Sequence, residues 1–125
     1  MNPTDIVGAW GKAIHSGDFD KARSLAHANL AFRGPIDTFN RVDDYLAALK
    51  QLGGIVKGMQ PEATIAQGNE IATFYILKTV VADAPVAEWY TVEGGKISAV
   101  RAYFDARPFA PAAGKASGGG PPASS

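Results

Sequence analysis

Gly94-Gly95 stands between two runs rich in β-branched and aromatic side chains, Val86–Glu93 and Ile97–Asp105. Two adjacent glycines tolerate the positive φ angles of a two-residue hairpin turn, so this pattern predicts a tight antiparallel hairpin. The chain before it also reads as strand. A strand is expected over roughly 55–67, broken at Pro61, and a second over 71–81 after the turn at Gly68-Asn69. Asp83-Ala84-Pro85 turns that strand into the hairpin. The second half of the chain is thus an antiparallel meander.

The first half has helical spacing instead. Asn2 is placed as an N-cap, Pro3 at the first helical position and Asp5 in the first turn. Ile6, Trp10, Ala13 and Ile14 form the apolar stripe, and Gly17 stops it. Asp18 caps a short second helix. Leu30–Arg33 reads as a short strand, broken at Gly34-Pro35. Asn40 is expected to cap a third helix, whose apolar stripe is Val42, Tyr45, Leu46, Leu49 and Leu52. Helices first and a meander afterwards indicate an α+β fold, with the helices on one sheet face.

Hairpin register assigns the faces. With Gly94 and Gly95 as the loop, Glu93 faces Lys96, Trp89 faces Val100, Glu88 faces Arg101 and Ala87 faces Ala102. One face then carries Ala87, Trp89, Thr91, Val100, Ala102 and Phe104. The other carries Glu88, Tyr90, Val92, Ile97, Arg101 and Tyr103. Neither is a solvated polar face. A sheet covered by helices on one side should show water the other, so the second apolar face predicts a homodimer through the outer sheet face.

Charge excludes several partners. Lys+Arg and Asp+Glu both number 12, leaving no basic surplus for phosphates, which argues against nucleic acid. No apolar run approaches the ~20 residues of a membrane span, and the N-terminus lacks a signal-peptide pattern, so a cytoplasmic location is expected. Cysteine is absent, which removes thiol chemistry. His15 and His27 lack the neighbours that a zinc site requires, so no metal is expected. From about residue 110 the chain is nearly all Gly, Pro, Ala and Ser. One domain over 1–109 and a disordered tail over 110–125 are therefore expected.

Three stretches carry a family resemblance. They are Trp10 to Ala22 with its Ser16-Gly17-Asp18-Phe19 turn, Phe32-Arg33-Gly34-Pro35 before the third helix, and Glu88–Ile97 running into Arg101-Ala102-Tyr103-Phe104-Asp105. In order and spacing they resemble the SnoaL-like branch of the NTF2-like superfamily, which includes ketosteroid isomerases, polyketide cyclases and limonene-epoxide-hydrolase-like proteins. The resemblance spans about residues 5–108. It implies a cone in which a curved antiparallel sheet wraps the N-terminal helices around an apolar pocket. It also implies an apolar small molecule as ligand, no cofactor, and dimers through the outer sheet face.

The acid–base positions of those enzymes transfer poorly. Where ketosteroid isomerases carry an Asp before a Pro, this chain has Gly34. Where they carry a Tyr in the first helix, it has Trp10. Their second Asp falls at Ala87, or at Glu88 if one gap is allowed. The Arg-x-Asp pair of the epoxide-hydrolase-like proteins falls at Tyr75 and Leu77, and their other Asp at Ala102.

Two acids remain candidates. Glu88, beside Trp89 and Tyr90, could serve as a desolvated general acid or base, although hairpin register sets it against Arg101 as an outward ion pair. Asp37 could act as a base near the pocket entrance, with Arg33 as a clamp; the plainer readings are turn chemistry for Asp37 and a solvated strand end for Arg33. Trp10, Tyr75, Trp89 and Phe104 are the expected pocket walls, each equally consistent with core packing. Asp105 and Arg107 bracket a corner after the last strand. Two functions stay open: a cofactor-free isomerase, cyclase or hydrolase of a polyketide- or steroid-like compound, or a non-catalytic ligand-binding or scaffold protein.

Overall fold

The computed structural model describes residues 1–109. The expected tail, 110–125, lies outside the described residues. The elements are α1 (Pro3–Ser16), α2 (Phe19–Ser24), β1 (Ala26–Arg33), β2 (Thr38–Phe39), α3 (Val42–Leu52), β3 (Val56–Gln67), β4 (Glu70–Thr79), β5 (Asp83–Glu93) and β6 (Lys96–Phe104).

Local chemistry sets most boundaries. The Asn2 side chain accepts from the Asp5 N–H at 2.8 Å, and Gly17 ends α1 at φ 79°. Asp18 caps α2 through the Lys21 N–H. The expected Asn40 cap of α3 is corrected. The N-cap is Arg41, without a side-chain bond, and the Asn40 Oδ1 instead accepts from Arg33 at 2.9 Å. A charged donor within reach outcompetes a backbone N–H for that oxygen.

All six strands form one sheet in the order β2-β1-β6-β5-β4-β3. The pairs are antiparallel except β1 with β6, which is parallel, so the expected antiparallel sheet is in fact mixed. β1 is longer than the four-residue strand expected, because the Ile97 N–H reaches back to the Leu25 carbonyl and draws in the chain from Ala26. Pro61 does not break β3. It occupies the edge strand, next to a register shift between Pro61 and Ala63 that takes up the irregularity.

Register within the hairpin carries the main correction. Gly94 and Gly95 adopt φ 60° and 80°, and Glu93 faces Lys96 as expected. Val92 faces Ile97, but Thr91 faces Ala99. Ser98 is therefore an extra residue, a β-bulge, with its hydroxyl donating to the Thr91 carbonyl at 3.3 Å. The bulge slips β6 by one residue relative to β5, and a one-residue slip exchanges faces. Glu88 consequently faces Ala102, and Arg101 faces Trp89. Glu88, Tyr90, Val92, Val100, Ala102 and Phe104 share the inner face. Ala87, Trp89, Thr91, Arg101 and Tyr103 share the outer one.

The core lies between the helices and the inner face. It contains Ile6, Val7, Trp10 and Ala13 of α1, Val42, Tyr45 and Leu46 of α3, and Leu30, Phe32, Ile71, Tyr90, Val92, Ile97 and Val100 of the sheet. Burial of these apolar groups drives the fold. The helices cover only part of the inner face. Ile71 is sealed, whereas Thr73, Tyr75 and Leu77, further along the same face of β4, remain partly accessible. The outer face leaves Trp89 and Tyr103 exposed by 41% and 56%. No described helix is long and apolar enough to cross a membrane.

Candidate functional site

A carboxyl stands where helix cover ends on the inner face. Glu88 projects inward from β5, opposite Ala102 of β6 and Thr73 of β4. Ala102 lacks the bulk to cover it, so the carboxyl keeps partial access while packed deep among protein atoms. The Tyr90 hydroxyl donates to Glu88 Oε1 at 2.7 Å. The Tyr75 hydroxyl approaches the same carboxyl from β4. Burial pushes the Glu88 carboxyl above its ordinary value, and hydrogen bonding from Tyr90 and Tyr75 offsets part of that rise. The ion pair with Arg101 does not form.

Tyrosines surround this carboxyl. Burial raises the Tyr90 and Tyr75 hydroxyls, and proximity to Glu88 raises them further. Tyr45 of α3 is raised well above its ordinary value for the same two reasons. All three therefore stay neutral and can act as hydrogen-bond donors at any working pH. Two phenyl rings and one indole hold the Tyr45 ring. Phe32 stacks on it at 4.3 Å between centroids, Trp10 at 6.0 Å and Phe39 at 6.2 Å.

Gly34 lies against the outer edge of the Phe32 ring of this stack. A Cβ at Gly34 would lie 2.9 Å from Phe32 Cζ, so the position leaves room only for hydrogen beside the Phe32 ring. The acid that ketosteroid isomerases carry before the proline has no space here. The expected alternative at Ala87 points outward, and the residue after it, Glu88, supplies the inward acid. Ala102, where the epoxide-hydrolase-like proteins carry their other Asp, lies directly across from Glu88. A carboxyl thus reaches this part of the inner face from β5 rather than from β6.

The other expected site residues divide. Trp10 is 2% exposed and Tyr75 partly accessible, both on the inner side. Phe104 faces inward beside Val86 and packs edge-on against Phe109 at 6.0 Å. Trp89 is corrected to the outer face. Its Nε1 donates to Glu70 at 2.6 Å, and the Arg101 guanidinium lies 3.8 Å over its ring. Thr91 ties the same group together, donating to Glu70 at 2.8 Å and accepting from Arg101 at 3.1 Å.

Asp37 and Arg33 are also away from Glu88. Asp37 is exposed on the rim of a 670 Å³ surface cleft between β2 and α3, with Asn40, Arg41, Asp44 and Gln51. Arg33 donates to the Phe32 and Phe39 carbonyls at 2.8 and 3.0 Å and to Asn40, which fixes it as a brace of the β1–β2 turn. The His27 ring donates to the Glu93 carbonyl, 2.6 Å away, beside a second surface depression. Among the described residues no three His, Asp or Glu side chains are grouped to hold a metal. Asp105 is clamped by the Arg107 guanidinium at 2.8 Å, which holds its carboxyl down to about 2.

Sequence reasoning missed Tyr45 and Tyr90 as site residues, because each also fits an apolar stripe. The signal was available: a tyrosine in such a stripe carries a hydroxyl that must find a partner.

Comparison of the sequence with protein-family models and with curated proteins gives no match. Solved structures do match the fold. A protein from Kribbella flavida DSM 17836 superposes with a TM-score of 0.78 at 26% identity, covering 93% of this chain and 96% of that one. An NTF2-like protein of unknown function from Cytophaga hutchinsonii ATCC 33406 gives 0.78 at 21% identity, covering 87% and 95%. An LEH-like epoxide hydrolase from M. tuberculosis gives 0.69 at 20% identity, covering 85% and 84%. These likenesses establish an NTF2-like α+β cone.

Proposed function

We propose that this protein of NTF2-like fold binds an apolar small molecule on its inner sheet face and uses Glu88 as a general acid or base on it, without a cofactor. One observation carries the reading: an inward carboxyl, raised by burial, whose hydrogen-bond partner is a tyrosine and not a cation. A carboxyl in an ion pair is fixed in its charged form. One that faces only neutral phenols is not locked in its charged form and can take up and release a proton, which proton transfer requires. An isomerase, cyclase or hydrolase of a polyketide- or steroid-like compound fits this chemistry.

Glu88→Gln keeps the shape and removes the titration. Turnover would be followed on a panel of β,γ-unsaturated ketones and aryl epoxides, with binding followed in parallel by calorimetry. The variant is expected to lose turnover and to keep binding. Undiminished turnover in Glu88→Gln would refute the catalytic role.

A second reading is a non-catalytic binding protein of the same fold. It is favoured by Asp37 standing outside the site, which leaves Glu88 without a second carboxyl partner. Binding by the wild type with no turnover of any panel member would select it.

We also propose that a second copy of the chain covers the outer face, where Phe74, Trp89 and Tyr103 lie together. Sedimentation velocity should give a dimer for the wild type and a monomer for Tyr103→Glu. A monomeric wild type at micromolar concentration would refute it.

A further inference from the structure

Tyr45 is a core residue with an unexplained polar atom. It is 3% exposed, and three aromatic rings fix its orientation. Its hydroxyl hydrogen-bonds to no other described residue. Yet no buried side-chain oxygen or nitrogen among the described residues is both sealed and unpartnered. The hydroxyl therefore opens onto accessible space. That space lies on the Glu88 side: Tyr45 stacks on Phe32, which pairs with Val100, and Val100 stands opposite Tyr90, the donor to Glu88, so that the Glu88 charge reaches Tyr45. A hydroxyl held inside a protein without an acceptor of its own is satisfied by water or by a ligand.

The surroundings define which ligand. Tyr45, Tyr75 and Tyr90 present neutral phenols, and the one group able to carry charge is the Glu88 carboxyl. Among the described residues no Lys, Arg or His acts on any of the four. An anionic ligand would meet a carboxylate with no cation to offset the repulsion. A hydrocarbon without an acceptor would leave the Tyr45 hydroxyl unpartnered when it displaced water.

We propose that Tyr45 is a specificity-determining residue whose hydroxyl donates to an oxygen acceptor of an uncharged ligand, so that the site selects neutral carbonyl compounds over both carboxylates and plain hydrocarbons. This rests on the reading of the inner face as a binding site. The stacked rings hold the donor in place before the ligand arrives, so little freedom is lost when the hydrogen bond forms.

Three naphthalene probes of one shape test it: 2-acetonaphthone, 2-isopropenylnaphthalene, which replaces C=O by C=CH2, and 2-naphthoate. Dissociation constants would be measured calorimetrically at pH 8 for the wild type and for Tyr45→Phe. The phenylalanine keeps the ring stack and removes only the hydroxyl, and circular dichroism would verify its fold.

In the wild type the ketone should bind about five- to tenfold more tightly than the hydrocarbon, the value of one net hydrogen bond. The naphthoate should bind more weakly than the ketone. In Tyr45→Phe the ketone's advantage should vanish while the hydrocarbon's affinity is unchanged. Retention of the ketone's advantage in Tyr45→Phe would overturn the assignment and leave the pocket reading standing. Equal binding of naphthoate and ketone by the wild type would overturn the selection for neutral ligands. If no probe binds the wild type, the pocket reading fails and this assignment with it.

Discussion

Glu88→Gln should change how stability depends on pH, in a direction opposite to that of an ion-paired acid. Burial raises the folded carboxyl above the 4.5 expected for an ordinary Glu. Between that value and the raised one, the folded state holds a proton that the unfolded state has released. Stability then falls as pH rises through this window and levels off above it. The loss approaches about 1.4 kcal/mol for each pH unit of the window. For a domain of this size that is about 5 °C in melting temperature per pH unit.

The amide introduced by Glu88→Gln does not titrate, and its oxygen can still accept from the Tyr90 hydroxyl that donates at 2.7 Å in the wild type. The difference between the two proteins isolates Glu88 from every other acid. One such acid is Asp105, held down to about 2 by Arg107, whose contribution is lost as pH falls through that value. Thermal melts from pH 4 to pH 9 should show the two proteins converging near pH 4.5. Glu88→Gln should gain on the wild type as pH rises. A difference that is constant with pH would refute desolvation of Glu88. A wild type that gains on the variant with rising pH would mean that stabilisation of the charged carboxylate outweighs its burial, which refutes the reading equally.

Tyr90→Phe removes the one donor among the described residues in full hydrogen-bond contact with Glu88, so the Glu88 carboxyl should titrate higher still. Carbon-13 NMR of the side-chain carboxyl measures this, and an unmoved midpoint would contradict the contact. Gly34→Ala places a Cβ within 3.0 Å of the Phe32 ring, which carries the Tyr45 stack. Overpacking of this kind costs about 1–3 kcal/mol. Urea unfolding should show it, and an unchanged midpoint would mean that the ring yields freely.

The elements were legible because their signals are local. Asn2 and Asp18 as caps, Gly17 as a stop and Gly94-Gly95 as a turn each act within a single turn of chain, and the structure holds all of them. The face assignment of β6 was not legible. A bulge shows in a sequence only when it disrupts a polar–apolar alternation. Here both faces of the hairpin are apolar, and Ser98-Ala99 is small enough to stand on either. One extra residue therefore moved Glu88 away from Arg101 and brought Arg101 over Trp89, with no trace in the pattern. Asn40 failed for a different reason. Its role depends on Arg33, seven residues earlier, which reaches it only after β1 and β2 have paired. Tyr45 illustrates a third limit, because a stripe position fixes where the ring packs and says nothing about what its hydroxyl meets.

The proposed chemistry depends on the state of one carboxyl, and the Glu88 side-chain carbon can be titrated directly. Carbon-13 NMR of glutamate-labelled protein, assigned by the resonance that disappears in Glu88→Gln, gives its midpoint. A midpoint above 4.5, shifted when 2-acetonaphthone is added, is the result expected of a desolvated acid facing a ligand site. A midpoint at or below 4.5, indifferent to the probe, would place Glu88 in an ordinary solvated or ion-paired setting and contradict the account.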